Sequence, residues 1–422
     1  MIKTTTPSNY LATVVKLDKH RKHGNADKLI CWNIMYNNVI TDLTYTEGEM
    51  CIYFPVECAI NKEFLAHLNL FETKELNNCK DLKGFFNKHG RVRAISLRGE
   101  RSQGFLINAG LLSEYLGIYV DWSEYEGIEF DTIKDTIICK KYIPFSSKKG
   151  NNPLQKKVQK TNIIDGQFKF HINTQPLAKH LQELPLDSNY TVTRKLHGTS
   201  AVFSKLLVRR KLNFIEQILA TLFVKIDTTN YDSVFSSRKV IKSDIKNDTG
   251  GFYKEDIWGQ WNEKLKDKIE NGISLYGEIV GYTAKGANIQ KRYHYGCNPE
   301  ESEFYVYRIT STNYDGISYE FSFDQMVEYC NKFGLKTVPI LETFKLRDRL
   351  VGNTIDEVFL DLNKKYASNS CVMNNLEVPE EGYCIKFDNL YEPIIYKSKN
   401  PDFLELESKL LDSEEVSIED EN

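Results

Sequence analysis

Thr193-Arg194-Lys195-Leu196-His197-Gly198-Thr199-Ser200 sets one lysine at the end of a β-type run, Tyr190 to Arg194, with a glycine three residues later. A glycine there lets the backbone turn tightly and approach a phosphate, because no Cβ stands in the way. The lysine is therefore a candidate nucleophile. K-x-x-G is short enough to arise by chance, and a surface lysine before a turn glycine is its commoner meaning, so the surrounding sequence must decide.

Downstream come Ser236-Ser237-Arg238, Leu275-Tyr276-Gly277-Glu278-Ile279-Val280-Gly281-Tyr282, Phe304 to Thr310, Glu381-Gly382-Tyr383-Cys384-Ile385-Lys386 and Tyr396-Lys397-Ser398-Lys399. Strand-like runs at Tyr190 to Arg194, Ile273 to Tyr282, Glu303 to Ile309, Gly382 to Phe387 and Pro393 to Tyr396 carry or adjoin all of these candidates. Lys397 and Lys399, two apart on such a run, share a face. A lysine nucleophile must lose a proton whose ordinary pKa is about 10.4, and neighbouring cations help it do so. Between these runs lie helical patterns. Ile215, Ile218, Leu219, Leu222 and Phe223 share one face, Ile257, Trp261, Leu265 and Ile269 recur every four residues, and both faces are expected to be structural. Ser322 and Gln325 followed by Gly334 predict a capped helix.

Upstream, Ala12 to Val15, Leu29 to Met35, Met50 to Phe54 and Val92 to Leu97 are short β-type runs between turn residues, for which a small β-barrel is the economical fold. A polar, lysine-rich stretch between Ile137 and Lys160 reads as a linker. The 422-residue chain is long enough for two domains. Its formal charge of −3 conceals an acidic end, where Asp402 to Asn422 holds nine acids and one lysine, leaving +5 for the rest. That mild excess suits a polyanionic partner. The end of the tail lacks aromatics and is expected to be solvated and disordered. Nine scattered cysteines without a C-x-x-C pair imply reduced thiols inside a cell. No stretch has the length and apolarity of a membrane span, so no membrane is expected as a partner.

In order and content, these segments resemble motifs I, Ia, III, IIIa, IV and V of the covalent nucleotidyltransferases, the superfamily of ATP-dependent DNA and RNA ligases and capping enzymes. The versions KLHGTS, SSRKV, YGEIVGY and YKSKN are closest to RNA ligases. Gly24-Asn25-Ala26-Asp27-Lys28-Leu29 and Leu97-Arg98-Gly99-Glu100-Arg101-Ser102-Gln103-Gly104 resemble the OB-fold module that precedes the catalytic domain in one RNA ligase clade. The resemblance spans roughly residues 10–400. It implies an α+β chain with an N-terminal OB-type β-barrel over residues 1–140 and a linker at 141–160. An ATP-grasp-like nucleotidyltransferase domain with antiparallel sheets flanked by helices follows at 161–410, and then a tail at 411–422.

It further implies an ATP-dependent RNA ligase in RNA repair, a monomer that seals 3'-OH and 5'-phosphate ends of nicked duplex or structured RNA. The AMP would be carried on Lys195, with Lys397 and Lys399 in catalytic positions. Arg194, Leu196, Ser200, Arg238, Glu278 and Tyr307 would hold the nucleotide, with Tyr305 the alternative to Tyr307 against adenine. Glu278 and Glu381 would hold Mg2+ or Mn2+, and Arg98 and Arg101 would bind RNA. Arg194 departs from the pattern, since many relatives carry Glu there, a change of two charges in the local field. A DNA ligase or a capping guanylyltransferase would use the same lysine chemistry but would not lead with this module. A nucleic-acid-binding protein on an inactivated ligase fold would be expected to lose the lysine or the acids, all of which are present.

Overall fold

A computed structural model describes residues 2–5, 8–143, 162–222, 226–242, 253, 255–388 and 394–413. The expected linker lies almost entirely outside these residues, as does the tail beyond 413. The chain divides into two compact units. One comprises the described parts of Met1–Pro144 and Pro401–Glu415, and the other those of Phe145–Asn400.

The first unit is built from antiparallel strands. Phe105–Asn108, Met50–Phe54, Ala12–Lys16 and Glu129–Phe130 form one sheet in that order, and His20–Lys22, Leu29–Ile34 and Asn37–Asp42 form another. The β-type runs foreseen at Ala12, Leu29 and Met50 are all strands. Their ladders form several small sheets and do not close into a ring among the described residues. The strands are short and are broken by turns, as at Arg98-Gly99, where φ values of 51° and 87° make the tight hairpin between Ala94–Leu97 and Glu100–Gln103. Phe54, Phe64, Phe130 and Leu112 fill the core.

The helix Pro401–Asp412 belongs to this first unit, although it follows the last strand of the second and was expected among residues 161–410. The reason is burial. Phe403 and Leu410 are both enclosed, and Arg91, 1% exposed, donates from Nη2 to the Ser408 carbonyl and to Asp412 Oδ1, each at 2.8 Å.

The second unit holds two antiparallel-rich sheets. One runs Gln175–Pro176, Ile394–Lys399, Gly382–Phe387, Asn189–Arg194 and Ile340–Lys345. The other runs Thr229–Ser236, Thr199–Arg209, Ile273–Gly281, Ser302–Thr312 and Ser318–Glu320. Every residue of Ile273–Gly281 is buried, as a central strand covered on both faces must be. Helix Phe323–Phe333 carries the foreseen capping box of Ser322 and Gln325 and ends at Gly334 with φ 61°. Helix Ile257–Leu265 buries Ile257 and Leu265 beside Trp258. Helix Phe214–Thr221 differs from expectation, because its apolar side chains face outward. No helix among the described residues is long and apolar enough to cross a membrane.

Removing one member of a buried charged pair strands the other, at a typical cost of about 3–5 kcal/mol. Arg91→Ala should therefore lower the stability of the first unit by about 3 kcal/mol, measured by urea denaturation. A loss below about 0.5 kcal/mol would mean that the helix Pro401–Asp412 does not depend on this arginine.

Candidate active site

Lys195 stands where the chain leaves one sheet of the second unit and enters the other. Asn189–Arg194 ends beside Gly382–Phe387, with Arg194 opposite Tyr383, and the Lys195 amide donates to the Gly382 carbonyl at 3.0 Å. Four residues later the chain is the strand Thr199–Arg209 of the second sheet. Gly198 is demanded by this crossing. A Cβ there would sit 2.3 Å from the Ile279 carbonyl oxygen and 2.8 Å from Glu278 Cγ. The glycine thus serves a close approach to the central strand, a constraint different from the turn that the sequence implied. The Gly198 carbonyl accepts from Gln290 Nε2 at 2.7 Å, and the His197 amide donates to the Tyr295 hydroxyl at 2.7 Å. Neither Gln290 nor Tyr295 carries a motif that sequence reasoning could use.

Glu381 is fully buried, immediately before Gly382–Phe387, and its Oε1 lies 2.5 Å from Lys195 Nζ and 3.7 Å from Lys399 Nζ. Neither carboxylate oxygen has a hydrogen bond among the described residues. Lys399 and Lys397 stand opposite Gly382 and Cys384 on the neighbouring strand, so both face the same way. The Cys384 thiol, pushed up to about 11 by burial, also feels the charges of Lys195, Glu381, Lys397 and Glu278, which places all four around it.

The second sheet supplies the opposite wall. Ser200 pairs with Glu278 across the ladder, and its hydroxyl donates to Glu278 Oε2 at 3.2 Å. Tyr305 stands opposite Glu278 on the next strand, while the register slips between Tyr276 and Gly277 so that Tyr307 is skipped. That bulge turns the Tyr307 hydroxyl to 2.6 Å from His171 Nδ1. Burial first, and then Glu278, raises the Tyr307 hydroxyl well above the usual phenol range. Arg238 donates to Asn173 Oδ1 at 3.1 Å, and its charge reaches both Tyr307 and His171. Leu196 is buried beneath the crossing. Arg194 turns to Glu380, with Nε 3.1 Å from Oε1, and Glu380 is raised above the ordinary carboxylate range by burial, against the pull of Arg194.

His171 and Glu380 are the residues the sequence reading missed. His171 lies in an irregular segment without periodicity, and Glu380 was hidden behind its neighbour Glu381. The two arginines assigned to RNA lie in the first unit and differ from each other. Arg98 is exposed at the hairpin tip, whereas Arg101 is ion-paired with Asp402 and lies 3.8 Å from Glu405. Among the described residues no group of three or more His, Cys, Asp and Glu side chains could hold a metal by itself. The buried carboxylate of Glu381, lacking hydrogen bonds, nonetheless fits a divalent ion of the kind that one or two carboxylates share with substrate phosphates.

Gly198→Ala should push the Glu278 strand away from the crossing, at a cost of about 1–3 kcal/mol in stability. Thermal denaturation checks this, and an unchanged midpoint would remove the packing argument. His171 is lowered to about 3, by burial first and then by Arg238 and Arg308. An unfolded histidine takes up a proton near pH 6.5, which the folded one refuses down to about 3. Stability should therefore decline as the pH falls through that window, and His171→Phe should flatten the decline in denaturation curves between these limits. An unaltered slope would place the pH dependence elsewhere.

A sequence model of the RNA ligase family matches residues 188–399, half of the chain. No match was found among curated protein sequences. Several solved structures share the fold. A Naegleria gruberi RNA ligase lysine-to-methionine variant with AMP and Mn is 16% identical, with a TM-score of 0.55 over 94% of this chain and 98% of its own. A lysine-to-alanine variant of the same ligase with ATP and Mn gives 16% and 0.56 over 94% and 98%. The Naegleria ligase with PPi gives 17% and 0.55 over 95% and 99%. With the family model matching residues 188–399, from the nucleophile strand to Lys399, the chain belongs to the RNA ligase family.

Proposed function

We propose that this chain joins RNA ends at the expense of ATP, through an AMP carried on Lys195, in the repair of broken RNA. The observation that carries the reading is the 2.5 Å contact of Lys195 Nζ with the fully buried Glu381, where one sheet hands the chain to the other. Lys195 Nζ attacks the α-phosphorus of ATP and forms the N–P bond. The bond to the bridging oxygen breaks, and pyrophosphate leaves. Glu381 Oε1 is the nearest base for the amine's proton. The AMP then passes to an RNA 5'-phosphate, and the 3'-hydroxyl of a second end displaces it to make the phosphodiester.

Phosphoryl transfers of this kind depend chiefly on positioning and on charge placed against the phosphate oxygens. Lys397 and Lys399 provide that charge from one strand face. Arg238 and Ser200 address the ribose and phosphate side, while Tyr307 or Tyr305 addresses the base. Glu381, with help from Glu278, would hold a divalent ion, Mg2+ or Mn2+, which would supply positive charge against the triphosphate oxygens. The Naegleria structures, solved with AMP, ATP, PPi and Mn, support this choice of ligands.

In this reading the N-terminal sheets act as an RNA-binding module of the OB kind, joined to the nucleotidyltransferase domain through the lysine-rich linker. One chain carries every candidate residue, which suits a monomer acting on nicked duplex or structured RNA within the cell.

Incubation with α-labelled ATP and a divalent metal should leave label on the denatured protein, and Lys195→Ala should abolish it. Label from GTP instead would favour a capping enzyme, and no label with any metal would remove the lysyl-AMP reading. Arg98→Ala should spare this label while weakening the sealing of nicked RNA about tenfold, as loss of one phosphate contact does. Equal loss of both activities would contradict the division of labour.

A further inference from the structure

Strands Thr199–Arg209 and Thr229–Ser236 pair up to Arg209 opposite Thr229, so residues 210–228 merely connect neighbouring antiparallel strands. A hairpin needs about two to five residues for that, and a connection this long is usually functional. Here it contains the helix Phe214–Thr221. Its start is firmly tied. Arg210 Nη1 and Nη2 fork onto the Glu216 carboxylate at 2.9 and 2.8 Å, and Asn213 and Glu216 cap one another reciprocally at 2.8 Å. The apolar face has no such support. Phe214 is 76% exposed, Ile215 67%, Ile218 45%, Leu219 38% and Leu222 65%. Periodicity predicted a core-facing helix, and among the described residues no core covers it.

We propose that this face is an interfacial anchor that lies in the headgroup region of an anionic phospholipid bilayer. The charges select that occupant. Arg209, Arg210 and Lys211 precede the apolar face, and Glu216 is the only acid among residues 209–222. Glu216 is already committed to Arg210, while Arg209 and Lys211 remain exposed. An exposed apolar face led by basic residues is the pattern of helices that rest on anionic membranes. A second copy would offer these cations no free acid from the same segment. One face of an 8-residue helix also falls well short of the roughly 800 Å² per partner of a stable interface. Phe214 alone in this face offers a base a ring to stack on, while Ile215, Ile218, Leu219 and Leu222 offer none, which argues against RNA as the occupant. Resting on a membrane requires no spanning helix. The proposal stands against the expectation that the protein meets no membrane.

The test is flotation of the full chain with phosphatidylcholine vesicles, with and without phosphatidylserine. The wild type should float only when phosphatidylserine is present, and less so at high salt. Ile218→Glu with Leu222→Glu should abolish flotation while leaving Lys195 labelling unchanged, which shows that the fold is intact. Arg209→Gln with Lys211→Gln should weaken partition about tenfold or more. The proposal is overturned if the wild type never floats or if the Glu variant floats undiminished. It is equally overturned if the wild type is a dimer that the Glu variant dissociates, which would assign the face to self-association.

Discussion

A carboxylate with no exposure to water is the constraint around which the second unit is arranged. Burying an isolated carboxylate costs several kcal/mol even after relaxation, and cations fixed beside Glu381 offset that cost. Two sources supply them. Lys399 comes from the adjacent strand, and Lys195 comes from the point at which the chain changes sheets. The crossing is held in turn by the Lys195 amide on Gly382, by Gln290 on Gly198 and by Tyr295 on His197. Moving any of these shifts the amine relative to the acid. The position of the candidate nucleophile is thus a property of both sheets, not of the K-x-x-G loop alone.

The same arithmetic explains how the fold tolerates Arg194. An arginine where many relatives have an acid would by itself add unbalanced positive charge next to the nucleophile. Glu380 answers it at 3.1 Å, so the pair adds no net charge while Glu381 is left to Lys195 and Lys399. Adjacent carboxylates in a buried place repel, and the Glu380 carboxyl is raised by burial and by Glu381 while Arg194 opposes the shift. Arg194 and Glu380 behave as one unit in this structure, and a change at either alters what the other does to Lys195.

How much of this could be read from the residues depended on how local its cause was. The strand Gly382–Phe387 was legible to its ends, and Ile273–Gly281 to within one residue, because alternation and turn glycines are local signals. So was the capped helix Phe323–Phe333, whose Ser322, Gln325 and Gly334 each act within one turn. Lys195, Glu278, Glu381, Lys397 and Lys399 were singled out through the resemblance to the nucleotidyltransferase motifs, and the fold brings them near one another. His171 was not, since it meets Tyr307 only because a bulge skips that tyrosine, and a register slip leaves no periodic trace. Helix Phe214–Thr221 misled for the converse reason. Its periodicity is real, but periodicity says that a face is apolar, not that anything in the same chain covers it.

Charge in the first unit was misjudged on similar grounds. The acidic end was counted as solvated, which left a basic body for a polyanion. In the structure Asp412 meets Arg91 and Arg93, and Asp402 and Glu405 meet Arg101, so part of that acidity is spent on arginines of the same unit, among them one assigned to RNA. Arg21 is likewise occupied by Glu100, whose carboxyl is held down to about 2 by Arg21 and the Gly24 amide. Arg98, Lys19 and Lys22 remain exposed. Lys16, Lys28, Lys62, Lys83 and Lys88 are exposed as well, so the unit keeps cations that a polyanion could meet despite these pairings. Arg98 differs from these lysines in sitting at the hairpin turn beside the loop from His23 to Asn25. His23 meets the Leu97 carbonyl at 2.9 Å and Asn25 meets the Arg98 carbonyl at 2.9 Å, contacts that hold Arg98 on a fixed turn. A cation so fixed loses less freedom on binding an anion than one on a mobile loop, which sets Arg98 apart from the exposed lysines around it.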